Sequence, residues 1–145
     1  MPNFTPYQTA QFATFSPAAL TAERLYAIAP AACAMNCRRA MELAVKWMYA
    51  VDKQLVLPYK KDLSVLLNTV EFVDLVDDRN LLRRLDFLRR LGNTAAHSAK
   101  KISRDQARLA LENLFYFLIS SPIATTRTTS LTTPIPPCCW NWRTR

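Results

Sequence analysis

A single glycine, Gly92, serves the whole chain of 145 residues. Glycine enters φ > 0 without steric penalty, so sharp turns rely on it. A chain with only one is poorly suited to a turn-rich β architecture. Leu, Ala, Arg, Glu and Lys dominate the middle of the sequence, and these are strong helix formers. The length suits one domain with a real core, not two. The expectation is therefore all-α: an antiparallel bundle of about five helices in one domain.

Three regions are expected. Residues 1–16 carry Phe4, Tyr7, Phe12 and Phe15 without helical period, which suggests an extended arm with its aromatics packed on the body. Residues 17–121 hold the bundle. Ser16-Pro17 reads as N-cap and N1 of the first helix, whose stripe is Leu20, Leu25 and Ile28, and Pro30 stops or redirects it. A second helix, from about Ala31 to Val51, turns Cys33, Cys37, Met41, Ala44 and Met48 inward, with Val45, Trp47 and Val51 widening that face. Asp62 can cap a shorter helix carrying Leu63, Leu66, Leu67 and Val70. Asp77 or Asp78 can cap the next, with Leu81, Leu85, Leu88 and Leu91 inward and Arg79, Arg83, Arg84, Arg89 and Arg90 outward. Gly92-Asn93 would end that helix in a left-handed terminus. Ser103 and Gln106 form a capping box ahead of the last helix, whose face is Ala107, Ala110, Leu111, Leu114 and Leu118 with Phe115 and Phe117. Residues 122–145 are Thr- and Pro-rich without period, the composition of a disordered tail. So abrupt a change suggests a truncated or frame-shifted reading of a longer protein.

Charge and cysteine usage narrow the function. The net charge is +8, and residues 122–145 supply Arg127, Arg143 and Arg145 with no acids, leaving about +5 before them. An acidic partner such as nucleic acid suits that balance. Cys33 and Cys37 lie one helical turn apart, as core thiols do, and Cys138 and Cys139 are adjacent near the end. With one histidine and no C-x-x-C pair, the set lacks zinc spacing, so no metal or other cofactor is expected. Nothing resembles a signal peptide, and no run of 18 apolar residues offers a membrane span. The reading is a cytoplasmic chain that does not enter the membrane.

Chemistry concentrates in Arg89 to His97, which holds the only glycine and the only histidine. Arg90 and His97 form R-x6-H. In one unbroken helix they would share a face about 10 Å apart along the axis; a break at Gly92-Asn93 would fold His97 back instead. Either geometry lets a guanidinium and an imidazole converge on a phosphate. A lone histidine at a helix end also caps carbonyls or packs on a neighbour. Arg38, Glu42 and Lys46 form an i, i+4 ladder, read as solvated ion pairs; the sharper alternative is that Arg39 or Glu42 faces the same cleft as His97. Arg83, Arg84, Arg89 and Arg90 together make a candidate nucleic-acid-binding face.

Three segments carry a family resemblance: RRAMELAVKWMY (Arg38 to Tyr49), LRRLGNTAAH (Leu88 to His97) and SRDQARLALENLFYFL (Ser103 to Leu118). Together they resemble a helical domain of the HEPN superfamily over about residues 15–120, most closely the version near the N-terminus of type I restriction endonuclease R subunits. The resemblance implies an accessory module, a fragment of a longer parent, that binds other restriction-modification subunits or nucleic acid in defence. Nuclease and ATP-driven motor domains would belong to that parent, since one glycine leaves no room for a P-loop. It also implies an alternative. Many HEPN proteins are metal-independent ribonucleases, often completed in a homodimer. Arg90 would then hold the scissile phosphate, His97 would move the proton of the attacking 2′-hydroxyl, and Asn93 would orient the phosphate. Active members often carry a polar residue directly after the arginine; here that position is Leu91.

Overall fold

A computed structural model describes residues 3–120. The described residues form α-helices and 3-10 turns, with no strand among them. The helices are α1 (Ser16–Leu25), α2 (Pro30–Val51), α3 (Leu63–Leu66), α4 (Val70–Val76), α5 (Arg79–His97) and α6 (Arg104–Ser120). The fold is the expected all-α bundle. The tail expected beyond residue 121, with Cys138 and Cys139, lies outside the described residues.

Helix α2 is the axis of the bundle. It packs against α1, α5 and α6, while α5 also packs on α6. Short links make α1 and α2, and α5 and α6, antiparallel neighbours. Cys33, Cys37, Met41, Ala44, Val45 and Met48 are buried along α2, as its periodicity requires. Val51, at the end of the helix beyond its packed neighbours, is half-exposed instead. Cys33 and Cys37 are free thiols inside the core, and burial pushes the Cys37 thiol well above its usual range.

Before α1 the arm is not extended. It coils into two 3-10 turns, Thr5–Tyr7 and Ala10–Phe12. All four aromatics are fully buried, as expected. Phe12 and Phe15 set their rings edge-on to Trp47 of α2, with centroids 5.6 and 6.0 Å away. Phe4 meets Phe115 of α6 in the same way at 5.8 Å. The tight turns bring aromatics spaced three to five residues apart onto one side. A buried Phe is worth about 3–5 kcal/mol against Ala, so this arm is a structural part of the bundle.

Local signals moved at several ends. Ser16 is the first residue of α1 and Phe15 its N-cap, without a side-chain cap bond. α1 buries Ala19 and Ala22 against α2, while Leu20 and Leu25 are only partly covered. Ile28 is exposed, because it falls in the link after the helix. Pro30 does more than stop α1: it occupies the N-terminal turn of α2, where its missing N–H costs nothing. The helix expected from Asp62 through Val70 is two pieces. Thr69 ends the run by capping α4, accepting the Phe72 amide at 3.3 Å, and leaves Val70 exposed. Tyr49 of α2 anchors this junction: its hydroxyl donates to the Leu66 carbonyl at 2.6 Å, and its ring stacks on Phe72. Asp77 closes α4 with φ 46°, in the left-handed region, and Asp78 caps α5 by accepting from the amides of Asn80 and Leu81. The Ser103–Gln106 box forms as expected, with Gln106 accepting the Ser103 amide at 2.9 Å and donating its own amide to Ser103 at 3.2 Å.

Candidate functional site

Gly92 does not end a helix. It lies inside α5, which continues unbroken to His97, and no glycine has positive φ. Its register explains it. Leu81, Leu85, Leu88 and Gly92 follow one buried stripe of α5, and Gly92 meets α2 at Arg38. A Cβ at this position would stand 2.9 Å from Arg38 Cγ and closer still to Cβ and Cδ. The missing side chain therefore makes the groove in which the Arg38 stem lies. Continuity of the helix leaves Arg90 and His97 about 10 Å apart along one axis, the first of the two geometries considered.

Beside this crossing, α2, α5 and the segment entering α3 enclose a cleft of about 370 Å³. Four cations line it: Arg38 and Lys46 from α2, Lys61 ahead of α3, and Arg89 from α5. Two carboxylates, Glu42 and Asp62, and the Asn93 amide complete its polar wall. Glu42 holds two of the cations. One oxygen meets Arg38 Nη1 at 3.3 Å and the other Lys46 Nζ at 3.0 Å, so the ladder is both an ion-pair network and a cleft wall. The Arg38 Nε is buried and has no hydrogen-bond partner. An unsatisfied buried donor costs about 1–3 kcal/mol, which an incoming acceptor can recover.

The predicted site residues separate. Arg89 and Asn93 face the cleft. Arg90 and His97 do not line it; both are exposed, His97 as the last residue of α5. Arg90 Nε pairs with Asp86 at 2.7 Å, and Arg89 grips the other oxygen of the same carboxylate at 2.9 Å. Arg83 is exposed. Arg84 is not outward: it donates to the buried Asn113 at 2.7 Å and lies 4.4 Å from the centre of the Tyr116 ring, tying α5 to α6. Arg39 is exposed and absent from the cleft wall, whereas Glu42 is part of it together with Arg89 and Asn93, and His97 is not. Leu91 is buried and packs in the core.

Sequence reasoning missed Lys61 as a cleft residue, and it saw Arg38 and Lys46 only as members of a ladder, not as cations facing Arg89. The one available signal was Gly92 itself, a glycine in phase with a leucine stripe and hence facing another helix. The cleft wall contains neither histidine nor cysteine, and its four cations are donors suited to charge-assisted hydrogen bonds. Among the described residues no group of three or more His, Cys, Asp or Glu is arranged to hold a metal ion, and no helix is long and apolar enough to cross a membrane.

Residues 21–131 match a family model described as a domain of unknown function, DUF4145. The chain belongs to the DUF4145 family. No curated protein and no solved structure matches it. The DUF4145 match begins within α1 and takes in the whole cleft, Gly92 and the Arg90/His97 pair, while the aromatic arm precedes it.

Proposed function

We propose that this DUF4145 domain is a nucleic-acid-binding accessory module, of the kind its HEPN-like segments imply for a type I restriction R subunit, and that it acts by binding rather than catalysis. The observation that carries the reading is the convergence of four cations from three chain segments on one cleft. Exposed Arg39, Arg83 and Arg90 extend the positive surface on α2 and α5. Cations spread over two packed helices can follow a phosphate backbone, which carries no sequence information of its own.

Titrating labelled single-stranded RNA and duplex DNA into the protein in EDTA, at about 50 and 200 mM salt, tests it. Affinity falling steeply with salt is the expected result, and a flat response overturns nucleic-acid binding. RNA cleavage that disappears in both Arg90→Ala and His97→Ala would instead establish the ribonuclease alternative, with an exposed pair completed across a homodimer. For the restriction assignment the check is the genetic locus, where neighbouring methylase and specificity subunits are expected. Their absence removes that assignment without touching the binding reading.

A further inference from the structure

Glu42 occupies donors that a phosphate would want. It is the one carboxylate of the α2 ladder, and each of its oxygens already serves a cation of the cleft. Arg38 is seated independently of that ion pair, because its stem lies in the groove that Gly92 leaves open. Its stem therefore stays beside the cleft whether or not Glu42 holds the guanidinium. Arg89 faces the same space from α5, with Asn93 one turn further along and Lys61 across from them. Four cations against two carboxylates leave the cleft positive, and about 370 Å³ lies within the ~300–1,000 Å³ of small-molecule sites, enough for a phosphate with its sugar.

We propose that the α2–α5 cleft binds a phosphate group through Arg38 and Arg89, with Glu42 as a built-in competitor that the phosphate displaces from Arg38 and Lys46. The phosphate is either one unit of a nucleic-acid backbone or that of a free nucleotide; only the first source rests on the function proposed above. In the empty cleft the single charge of the Glu42 carboxylate is shared between two cations at helix-ladder spacing. A bound monoester dianion offers three terminal acceptor oxygens against the carboxylate's two, leaving one for the unpartnered Arg38 Nε, and a diester offers two non-bridging oxygens in tetrahedral rather than planar array.

The test is isothermal titration of the full chain with inorganic phosphate, a nucleoside 5′-monophosphate and a short single-stranded RNA. Arg38→Gln, Arg89→Gln, Glu42→Gln and, as a control outside the cleft lining, Lys53→Gln are titrated alongside, with circular dichroism to verify folding. Arg38→Gln and Arg89→Gln should each weaken nucleotide binding about tenfold or more, the loss of a charge-assisted bond. Glu42→Gln should tighten it several-fold, an effect opposite in sign to simple loss of an ion pair, and Lys53→Gln should leave it unchanged. RNA affinity moving in parallel assigns the backbone as the source. Nucleotide binding without RNA binding keeps the site and overturns the nucleic-acid function. RNA binding indifferent to Arg38→Gln and Arg89→Gln overturns the site and keeps that function. Unchanged or weaker binding in Glu42→Gln overturns the competitor role.

Discussion

Helix α5 carries the dipeptide Arg-Arg twice, six residues apart, and the bundle uses the two copies differently. In the first, Arg83 points to solvent while Arg84 crosses to α6, where Asn113 takes its guanidinium and Tyr116 lies beneath it. In the second, both arginines share Asp86, yet Arg89 lines the cleft and Arg90 stays 73% exposed. Six residues advance a helix by 600°, that is 240° beyond a full turn, so the second copy meets α2 where the first meets α6. Composition marks both pairs as basic surface. Only the neighbouring helix makes one arginine a strut, one a cleft donor and two a solvated fringe.

Substitutions can break that contrast. Arg84→Ala should have the largest effect, lowering stability by about 1–3 kcal/mol, because the buried Asn113 keeps its polar atoms without their charged partner. Urea denaturation measures this, and a loss no greater than that of a surface arginine would erase the distinction between the pairs. Gly92→Ala follows. A helix-interior alanine gains about 1 kcal/mol over glycine, but overpacking against the Arg38 stem typically costs about 1–3 kcal/mol. The expected outcome is a net loss with a weakened cleft; a more stable variant would show that α2 and α5 can part without cost.

Smaller effects sharpen the comparison. Arg90→Ala should change stability by less than about 0.5 kcal/mol, since its ion pair is exposed and Asp86 retains Arg89. The carboxylates repeat the lesson. Burial holds the Glu23 carboxyl above its ordinary value of 4.5, outweighing the Phe4 amide that donates to it at 3.3 Å. The folded state thus binds the proton more tightly than the unfolded one. This contribution is fully present below pH 4.5 and is lost as pH rises through the folded value. Glu23→Gln keeps the acceptor and should flatten that slope, giving a slightly higher melting temperature at pH 7 than the parent and no advantage at pH 4. An advantage that persisted at pH 4 would count against burial as the cause.

Much of the fold was legible because its signals are local. The Ser103–Gln106 box needs only a three-residue spacing, and the leucine stripe of α5 only a helical period. The cut at Thr69 was missed because Leu67 and Val70 continue the apolar pattern across it, while the cap that interrupts them depends on one hydroxyl. The Ser16 cap was misplaced by one residue because Phe15, packed on Trp47, sets where α1 begins. For the candidate site the balance reverses. The ladder Arg38, Glu42, Lys46 was visible, but its meeting with Arg89 joins residues about fifty positions apart in the sequence.

The sequence by itself determined that the bundle is helical, where α2 and α6 run, and most of the residues that enter the core, because period, capping and glycine scarcity act within a few residues. The tertiary structure alone decided what Gly92 is for, which arginines are structural and which face a cleft. Those properties depend on the distance between helices, and only the packed bundle sets it.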